Sequence, residues 1–366
     1  METVCVIFGG VSTEHLISQR SAYNIIKGLR KAGYNVSRVG ITKMGEWLAF
    51  EGDDEAVLDG SWEDLSTEKS FEKNVVIRGK GVTVQDFLIS IIGVKPDIIF
   101  PAVHGINCED GTLQGMLELS KIPYVGCDVV SSAMAMNKLY AKQIFKAANI
   151  PQCKYFPVDR SLIKKDAEKA AKKAEEKIGY PCFLKPNSGG SSVGTYIAKD
   201  FSELSRYLVE ASEYDSIVLV EEFIDCREIE AAVLGNDNPK IAKIGEIINN
   251  SNSEYYDYET KYFDPNGSVV AIPANLDEEQ IKKIRRYAKK AFKSLGCSGL
   301  ARVDFFIDKS NGDIMINEVN TLPGFTPISL YPKAWEASGF PIEKLVTKLC
   351  ELAHERIKAR SRLEIL

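Results

Sequence analysis

The first third of the chain alternates short apolar runs with amphipathic ones. TVCVIF, NVSRVGIT, DIIFPAVHG and PYVGC read as strands, while SAYNIIKGLRKAG and TLQGMLELSKI repeat apolar residues at the spacing of one helix face. Such alternation predicts a parallel sheet with crossover helices, whose ligand-bearing loops leave the carboxyl ends of the strands. FGGVSTEH and PAVHGINCEDG are loops of that kind. Between them MGEWLAFEGDDEAVLDGSWEDLSTEKS is acidic and aperiodic, and it reads as a surface excursion.

VSSAMAMNKLYAKQIFKAANI reads as one long helix stopped by Pro151, and there the pattern changes. A compact segment follows: strand CKYFPV, a charged helix, strand PCFLKP, the run NSGGSSVG, strand GTYIAK, helix FSELSRYLVEAS and strand VLVEEFI. The remainder predicts antiparallel strands EIEAAVLG and KIAKIGEII, a polar loop NNSNSEYYDYETKYFDPNG, helix DEEQIKKIRRYAKKAFKSLG, and strands GLARVDFFID and DIMINEVN. Three domains are expected, over residues 1–128, 129–222 and 223–366, in a chain of 366 residues that exceeds what one core usually supports.

Composition narrows the class. Hydrophobic content of 45% and charged content of 27% are those of an ordinary globular protein. The balance of 46 basic against 51 acidic residues contains no long block of one sign, so neither a nucleic-acid nor a membrane partner is expected. The lysines of KKDAEKAAKKAEEK alternate with acids at helical spacing and read as a solvated face. Eight cysteines without CxxC pairs make neither a disulfide framework nor a zinc site, which fits a reduced cytoplasm. METVCVIFGG reads as a first strand and not a signal peptide, and no run approaches the roughly 20 apolar residues of a membrane span.

Candidate chemistry lies in the last two thirds. NSGGSSVG has little side chain to pack, so it is either a hairpin turn or a loop whose bare N–H groups cover a phosphate. Glu318 and Asn320 alternate on one strand and share a face, which Asp304 can meet from a neighbouring strand. Such an all-oxygen group suits Mg²⁺; the alternative is three polar residues on an exposed face. Arg302 projects to the same face as Asp304 and points to an anionic ligand, and Gly324 of NTLPGFT offers an N–H to a developing oxyanion. Lys185 ends an apolar strand where the glycine run begins, and Lys138 stands on the long helix; each is a phosphate ligand or a surface lysine. Phe223 and Ile224 could seat adenine beside a strand edge, and Glu228 could accept from ribose hydroxyls.

Taken in order, HGINCEDGTLQG, KPNSGGSSVG, YDYETKY, GLARVDFF and INEVNTLPG resemble the D-alanine:D-alanine ligase family, a branch of the ATP-grasp superfamily. The resemblance runs from VIFGGVSTEH to TPISLYP. It implies an α/β fold, α+β in the ATP-binding part, in which two domains grip ATP beside an N-terminal parallel-sheet domain. It implies ligation of two D-alanines through an acylphosphate for peptidoglycan precursors, with ADP and phosphate released, in a cytoplasmic homodimer.

By the same resemblance, Asp304, Glu318 and Asn320 would hold two Mg²⁺ ions, a role Mn²⁺ could also fill. Lys138, Lys185 and Lys261 would contact the ATP phosphates, Glu221, Phe223 and Ile224 the adenine region, and Glu228 the ribose. Glu14 would bind the ammonium of the first D-alanine, with His104 near its carboxylate. Ser191 and Tyr262 would link to Glu14 and close two loops across the site, Arg302 and Gly324 would stabilise the oxyanion, and Ser329 with Leu330 would seat the second carboxylate. Cys108, Gly189 and Glu222 depart from the family pattern, at a turn and beside the nucleotide. The competing readings are a sister ligase that takes D-serine or D-lactate second, another ATP-grasp ligase, and a non-catalytic nucleotide sensor.

Overall fold

A computed structural model describes residues 1–70, 81–190, 193–249 and 268–361. They build three sheets. The first has the order β3-β2-β1-β4, where β1 is Thr3–Gly9, β2 Asn35–Ile41, β3 Trp47–Ala49 and β4 Ile98–Pro101. Strands β2 and β4 flank β1 in parallel, as the alternating pattern requires, and β3 is an antiparallel edge. PYVGC contributes only an isolated bridge from Tyr124 to Ile99, not a strand.

The acidic stretch after β2 is not a surface excursion. It forms β3 and the helices Glu55–Asp59 and Trp62–Ser70. Trp62 is fully buried, edge-on to Phe8 at 4.9 Å between ring centroids. Its ring fills the space over Gly40, where a Cβ would come within 2.0 Å of it. The acids have partners as well: Asp54 takes Arg30 and the buried Arg38, each at 2.7 Å.

The second sheet is antiparallel with order β5-β8-β6-β7, from Tyr155–Asp159, Ile217–Glu222, Cys182–Pro186 and Tyr196–Ala198 respectively. One core joins it to the helices Ala167–Ile178 and Phe201–Ala211, which bury Ala170, Ala171, Ala174, Leu204 and Leu208. The lysine-rich segment is two helices, broken at Asp166, whose side chain caps the second by accepting from the Lys169 N–H.

The third sheet runs β12-β11-β9-β13-β14, with β10 paired to β9. These strands are β9 Cys226–Gly235, β10 Lys240–Ile241, β11 Gly245–Asn249, β12 Ser268–Ala271, β13 Gly299–Asp308 and β14 Ile314–Asn320. Helix Glu278–Ser294 packs one apolar face onto this sheet. The final helices, Leu330–Ala337 and Ile342–Ser361, instead share a core with β1, β4 and helix His15–Lys31. The two ends of the chain are thereby packed together beside the third sheet. No described helix is long and apolar enough to cross a membrane.

The long helix expected before Pro151 is two. Asn137 has an extended backbone, with ψ 98°, and its side chain accepts the Tyr140 N–H, which separates Val129–Met136 from Lys138–Ala147. The break places Lys138 at a helix start rather than mid-helix. There its own N–H donates to the Asn187 carbonyl at 3.0 Å, and the Leu139 N–H donates to Asn187 Oδ1 at 2.8 Å. Asn187 opens the glycine run, so the second helix is docked onto that loop.

Candidate active site

The glycine run connects β6 to its antiparallel partner β7, so it is a hairpin connection in topology. Its length and anchoring exceed what a turn needs. Ser188 N–H donates to Asp215 at 2.6 Å, the Gly189 carbonyl accepts from Lys138 Nζ, and Gly194, at φ 72°, lies so close to Tyr214 that a Cβ would sit 2.5 Å from its ring. Ser191 of this loop, like Lys261 and Tyr262 of YDYETKY, lies outside the described residues.

At the end of β6, Lys185 is 8% exposed. Its ammonium lies 2.7 Å from Glu221 Oε2 on β8 and donates to Asn317 Oδ1 on β14 at 3.3 Å, which ties the second sheet to the third. The other oxygen of Glu221 faces Lys142 Nζ at 2.9 Å, from a side chain only 1% exposed. Burial pushes the Glu221 carboxyl up, but the two ammoniums outweigh it and hold the group at about 2. Its carboxylate is therefore committed to lysines, and beside it Phe223 and Ile224 present partly exposed apolar surface. Glu222 accepts from the Lys154 N–H at 2.7 Å and so fixes the neighbouring β5 edge. Glu228 stands on β9, opposite Phe306.

The third sheet supplies a row of acids. Glu230, Asp304 and Glu318 are direct cross-strand neighbours on β9, β13 and β14, and Arg302 is opposite Asn320 in the adjacent row. Residues opposed in this way share a sheet face, so all five point to one side. Arg302 donates to Asp304 from Nε at 2.8 Å and Nη2 at 2.7 Å, and its Nε is 3.2 Å from Glu230. Burial pulls the guanidinium down, yet Asp304 and Glu230 more than offset it. Among the described residues no three His, Cys, Asp or Glu side chains form a ready metal cluster. The donor chemistry nonetheless fits a hard dication. Asp304 and Glu318 are adjacent carboxylates, and among the described residues Asn320 Oδ1 accepts from the Leu322 N–H at 3.1 Å and each carboxylate oxygen of Asp304 keeps a lone pair beyond its bond to Arg302.

Loops from the first sheet close the opposite side. Glu14 begins helix His15–Lys31 and is 9% exposed; a Cβ on Gly105 would lie 3.2 Å from its Oε2, and one on Gly190 of the glycine run 3.8 Å away. His104 is buried and both ring nitrogens have protein partners. Its Nδ1–H donates to the Leu322 carbonyl at 3.0 Å, which leaves Nε2 to accept from Ser21 Oγ at 3.2 Å. Burial pushes this imidazole down, against the pull of Glu14, and keeps it neutral. It holds the segment that carries Gly324, where a Cβ would come within 3.0 Å of Ser329 Oγ. Ser329 precedes helix Leu330–Ala337 without a side-chain cap bond and pairs with Thr326 Oγ1 at 2.7 Å, while the Leu330 side chain is buried in the core.

The sequence reading passed over Lys142, Glu230 and Glu109. Glu109 lies in the expected HGINCEDG loop, accepts the Gly105 N–H through Oε1 at 3.1 Å, and has a buried Oε2 without a hydrogen-bond partner among the described residues. Burial, then Glu14 and Glu318, push its carboxyl up to about 8. Cys108, beside it, is buried with its sulfur 3.1 Å from where a Cβ on Gly10 would lie, so the departure from glycine fills space between the two loops.

Profiles of the D-ala D-ala ligase N-terminus and C-terminus match residues 3–127 and 144–351. A D-alanine–D-alanine ligase of Acetivibrio thermocellus is 46% identical over 363 residues, covering 96% of each chain. One of Ruminiclostridium cellulolyticum is 47% identical, covering 96% of this chain and 95% of the relative. Among solved structures, the D-alanine-D-alanine ligase from Coxiella burnetii superposes with a TM-score of 0.83 at 36% identity, over 99% of this chain and 96% of that one. The VanG D-Ala:D-Ser ligase from Enterococcus faecalis gives 0.80 at 35% identity, over 96% and 99%.

Proposed function

This chain belongs to the D-alanine–D-alanine ligase family of ATP-grasp enzymes, and on that premise we propose that it joins two D-alanines into D-alanyl-D-alanine at the expense of ATP. The observation that carries the reading is the junction of two kinds of chemistry. A loop pair bearing Glu14, His104 and Glu109 meets the glycine run, with Lys138 and Lys185 beside it, and the acid row of β13 and β14. A nucleotide sensor needs only the second half.

Lys138, Lys185 and Lys261 hold the phosphates, Phe223, Ile224 and the backbone at Glu221 flank adenine, and Glu228 takes the ribose. Asp304, Glu318 and Asn320 hold two Mg²⁺ ions, or Mn²⁺ in their place, which supply positive charge against the triphosphate. Glu14 fixes the first D-alanine by its ammonium, with Ser191 and Tyr262 bridging to it, and the carboxylate of that D-alanine attacks the γ-phosphate, displacing ADP to give an acylphosphate. The second D-alanine, its carboxylate seated at Ser329 and the Leu330 N–H, loses a proton from its ammonium to solvent and attacks that carbonyl through the free amine. Asp304 and Glu230 engage Nε and Nη2 of Arg302, which among the described residues leaves Nη1 to meet the oxyanion together with the Gly324 N–H. Phosphate then leaves. His104 stands near the carboxylate of the first D-alanine and, through its bond to the Leu322 carbonyl, also holds the 321–325 segment.

We place this activity in the cytoplasm as a source of dipeptide for peptidoglycan, in a homodimer whose subunits divide at residues 1–128, 129–222 and 223–366, with the last two helices returning to the first unit. The test is ADP release with D-alanine as sole amino acid and identification of the product. Release that does not depend on D-alanine would refute the reading.

A further inference from the structure

We infer that Lys142 is a positioning residue of the nucleotide site: it occupies one oxygen of Glu221 so that Lys185, on the other, keeps positive charge for a ligand phosphate. The inference rests on the reading above that Lys185 faces phosphate. Lys142 lies one helical turn beyond Lys138, between the buried Ala141 and Phe145. Its Nζ is 2.9 Å from Glu221 Oε1, 3.4 Å from Cys153 Sγ and 5.2 Å from the centroid of the Tyr155 ring. Lys185 Nζ is 2.7 Å from Glu221 Oε2. Two ammoniums thus share one buried carboxylate, and the group carries a net charge of one.

Stability does not account for that surplus. Burying charges costs more than their mutual attraction usually returns, and a neutral Glu221–Lys185 pair with an apolar residue at 142 would tie β6 to β8 equally well. A net cation becomes useful when a polyanion arrives beside it. In a site of low polarity a single fixed charge several ångströms from a phosphate changes its affinity strongly. Without Lys142, Glu221 would neutralise Lys185 and draw it away from the ligand. With Lys142 in place the carboxylate is shared, and it stays ionised at every working pH because both ammoniums hold it far below the usual carboxylate range. Lys185 is left anchored through Glu221 and Asn317, and still cationic.

Charge balance and mere packing predict different double variants. Inorganic tripolyphosphate is the probe, since it reports on the phosphate site without adenine, and ATP competition locates it. For the full-length protein, Lys142→Met is expected to weaken tripolyphosphate binding by calorimetry about tenfold and to raise KM for ATP in parallel. Lys142→Arg should stay near wild type. Lys142→Met combined with Glu221→Gln restores the net charge of one and should recover tripolyphosphate affinity to within about threefold of wild type. Wild-type affinity in Lys142→Met, or a double variant no better than the single one, would overturn the inference while leaving the proposed function intact. Tripolyphosphate that binds wild type without being displaced by ATP would instead remove the nucleotide-site reading, and the inference with it.

Discussion

Arg302 grips both carboxylate oxygens of Asp304, two residues along the same strand, through Nε at 2.8 Å and Nη2 at 2.7 Å. Side chains two apart on a strand share a face, so the fork closes without bending the backbone. The fork holds the guanidinium in one plane and directs its remaining nitrogen. A lysine has no planar fork and cannot be held in this way. Arg302→Lys is therefore expected to lower kcat roughly 100-fold or more while leaving KM for ATP within a few-fold, as loss of an oxyanion donor does. Steady-state ADP release reads both constants. An equal loss in KM alone would mean that Arg302 binds substrate and not the transition state.

Glu318 stands opposite Asp304 in the β13–β14 register, with Asn320 two residues further on. Glu318→Gln keeps the shape of the side chain and removes its charge. The variant should fold, bind Mn²⁺ at least tenfold more weakly by electron paramagnetic resonance, and lose turnover at any Mg²⁺ concentration. Unchanged Mn²⁺ binding would move the metal elsewhere.

Much of this geometry was legible in the sequence because strand alternation fixes faces. Glu318 with Asn320, and Arg302 with Asp304, had to pair on one side, and the glycine run had to follow Lys185. Register was not legible: a bulge between Asp304 and Phe305 shifts the pairing with β14, and only the fold shows Asp304 opposite Glu318. Lys142 was hidden because a lysine on an amphipathic helix reads as surface, and the acid that permits its burial lies on β8, far along the chain. The break at Asn137 did leave a signal, since asparagine is a favoured helix cap, but the apolar periodicity on both sides masked it.

Glu109 ties the site to stability. Its carboxyl is raised from 4.5 to about 8, by burial first, then by Glu14 and Glu318, against the Gly105 N–H and Arg302. Between those two values the folded protein holds a proton that the unfolded chain has released, so this group's contribution is full below about 4.5 and is lost as pH rises through about 8. Glu109→Gln has no proton to lose. Its melting temperature should fall less than that of wild type from mildly acid to mildly alkaline pH, which scanning calorimetry across that window checks. Parallel pH profiles would show that Glu109 is ionised throughout.

Trp62 makes the acidic stretch after β2 part of the core, with Phe8 against its ring edge and Gly40 beneath it. Trp62→Ala empties that space, and a loss of about 3–5 kcal/mol is expected in urea unfolding. Gly40→Ala attacks the same contact from the other side, because its Cβ would come within 2.0 Å of the ring. Overpacking there should cost about 1–3 kcal/mol. A Trp62→Ala variant as stable as wild type would return this stretch to the surface.

The identity of the second substrate is the finest distinction that the site must make. Among solved structures a D-alanine-D-alanine ligase at 36% identity and the VanG D-Ala:D-Ser ligase at 35% stand almost equally near this chain. YDYETKY, which resembles the loop of the dipeptide-forming branch, lies outside the described residues, and the chemistry of the nucleophile discriminates instead. An amine must become neutral before it attacks the acylphosphate, so dipeptide formation should strengthen as pH rises toward the amine's pKa. A hydroxyl nucleophile carries no such requirement, and D-lactate would gain ground only toward acid pH. D-serine adds one hydroxyl to D-alanine, and a small pocket rejects an added hydroxyl by only about a hundredfold at best. D-alanyl-D-alanine should therefore dominate at equal concentrations, D-serine should appear as the minor competitor, and the ester product should stay low near neutral pH. Product analysis with D-alanine alone, then with D-serine or D-lactate added, across mildly acid to alkaline pH decides the matter. A mixed D-alanyl-D-serine product in excess would reassign the second site, and an ester dominating near neutral pH would mean that the nucleophile is not selected as an amine.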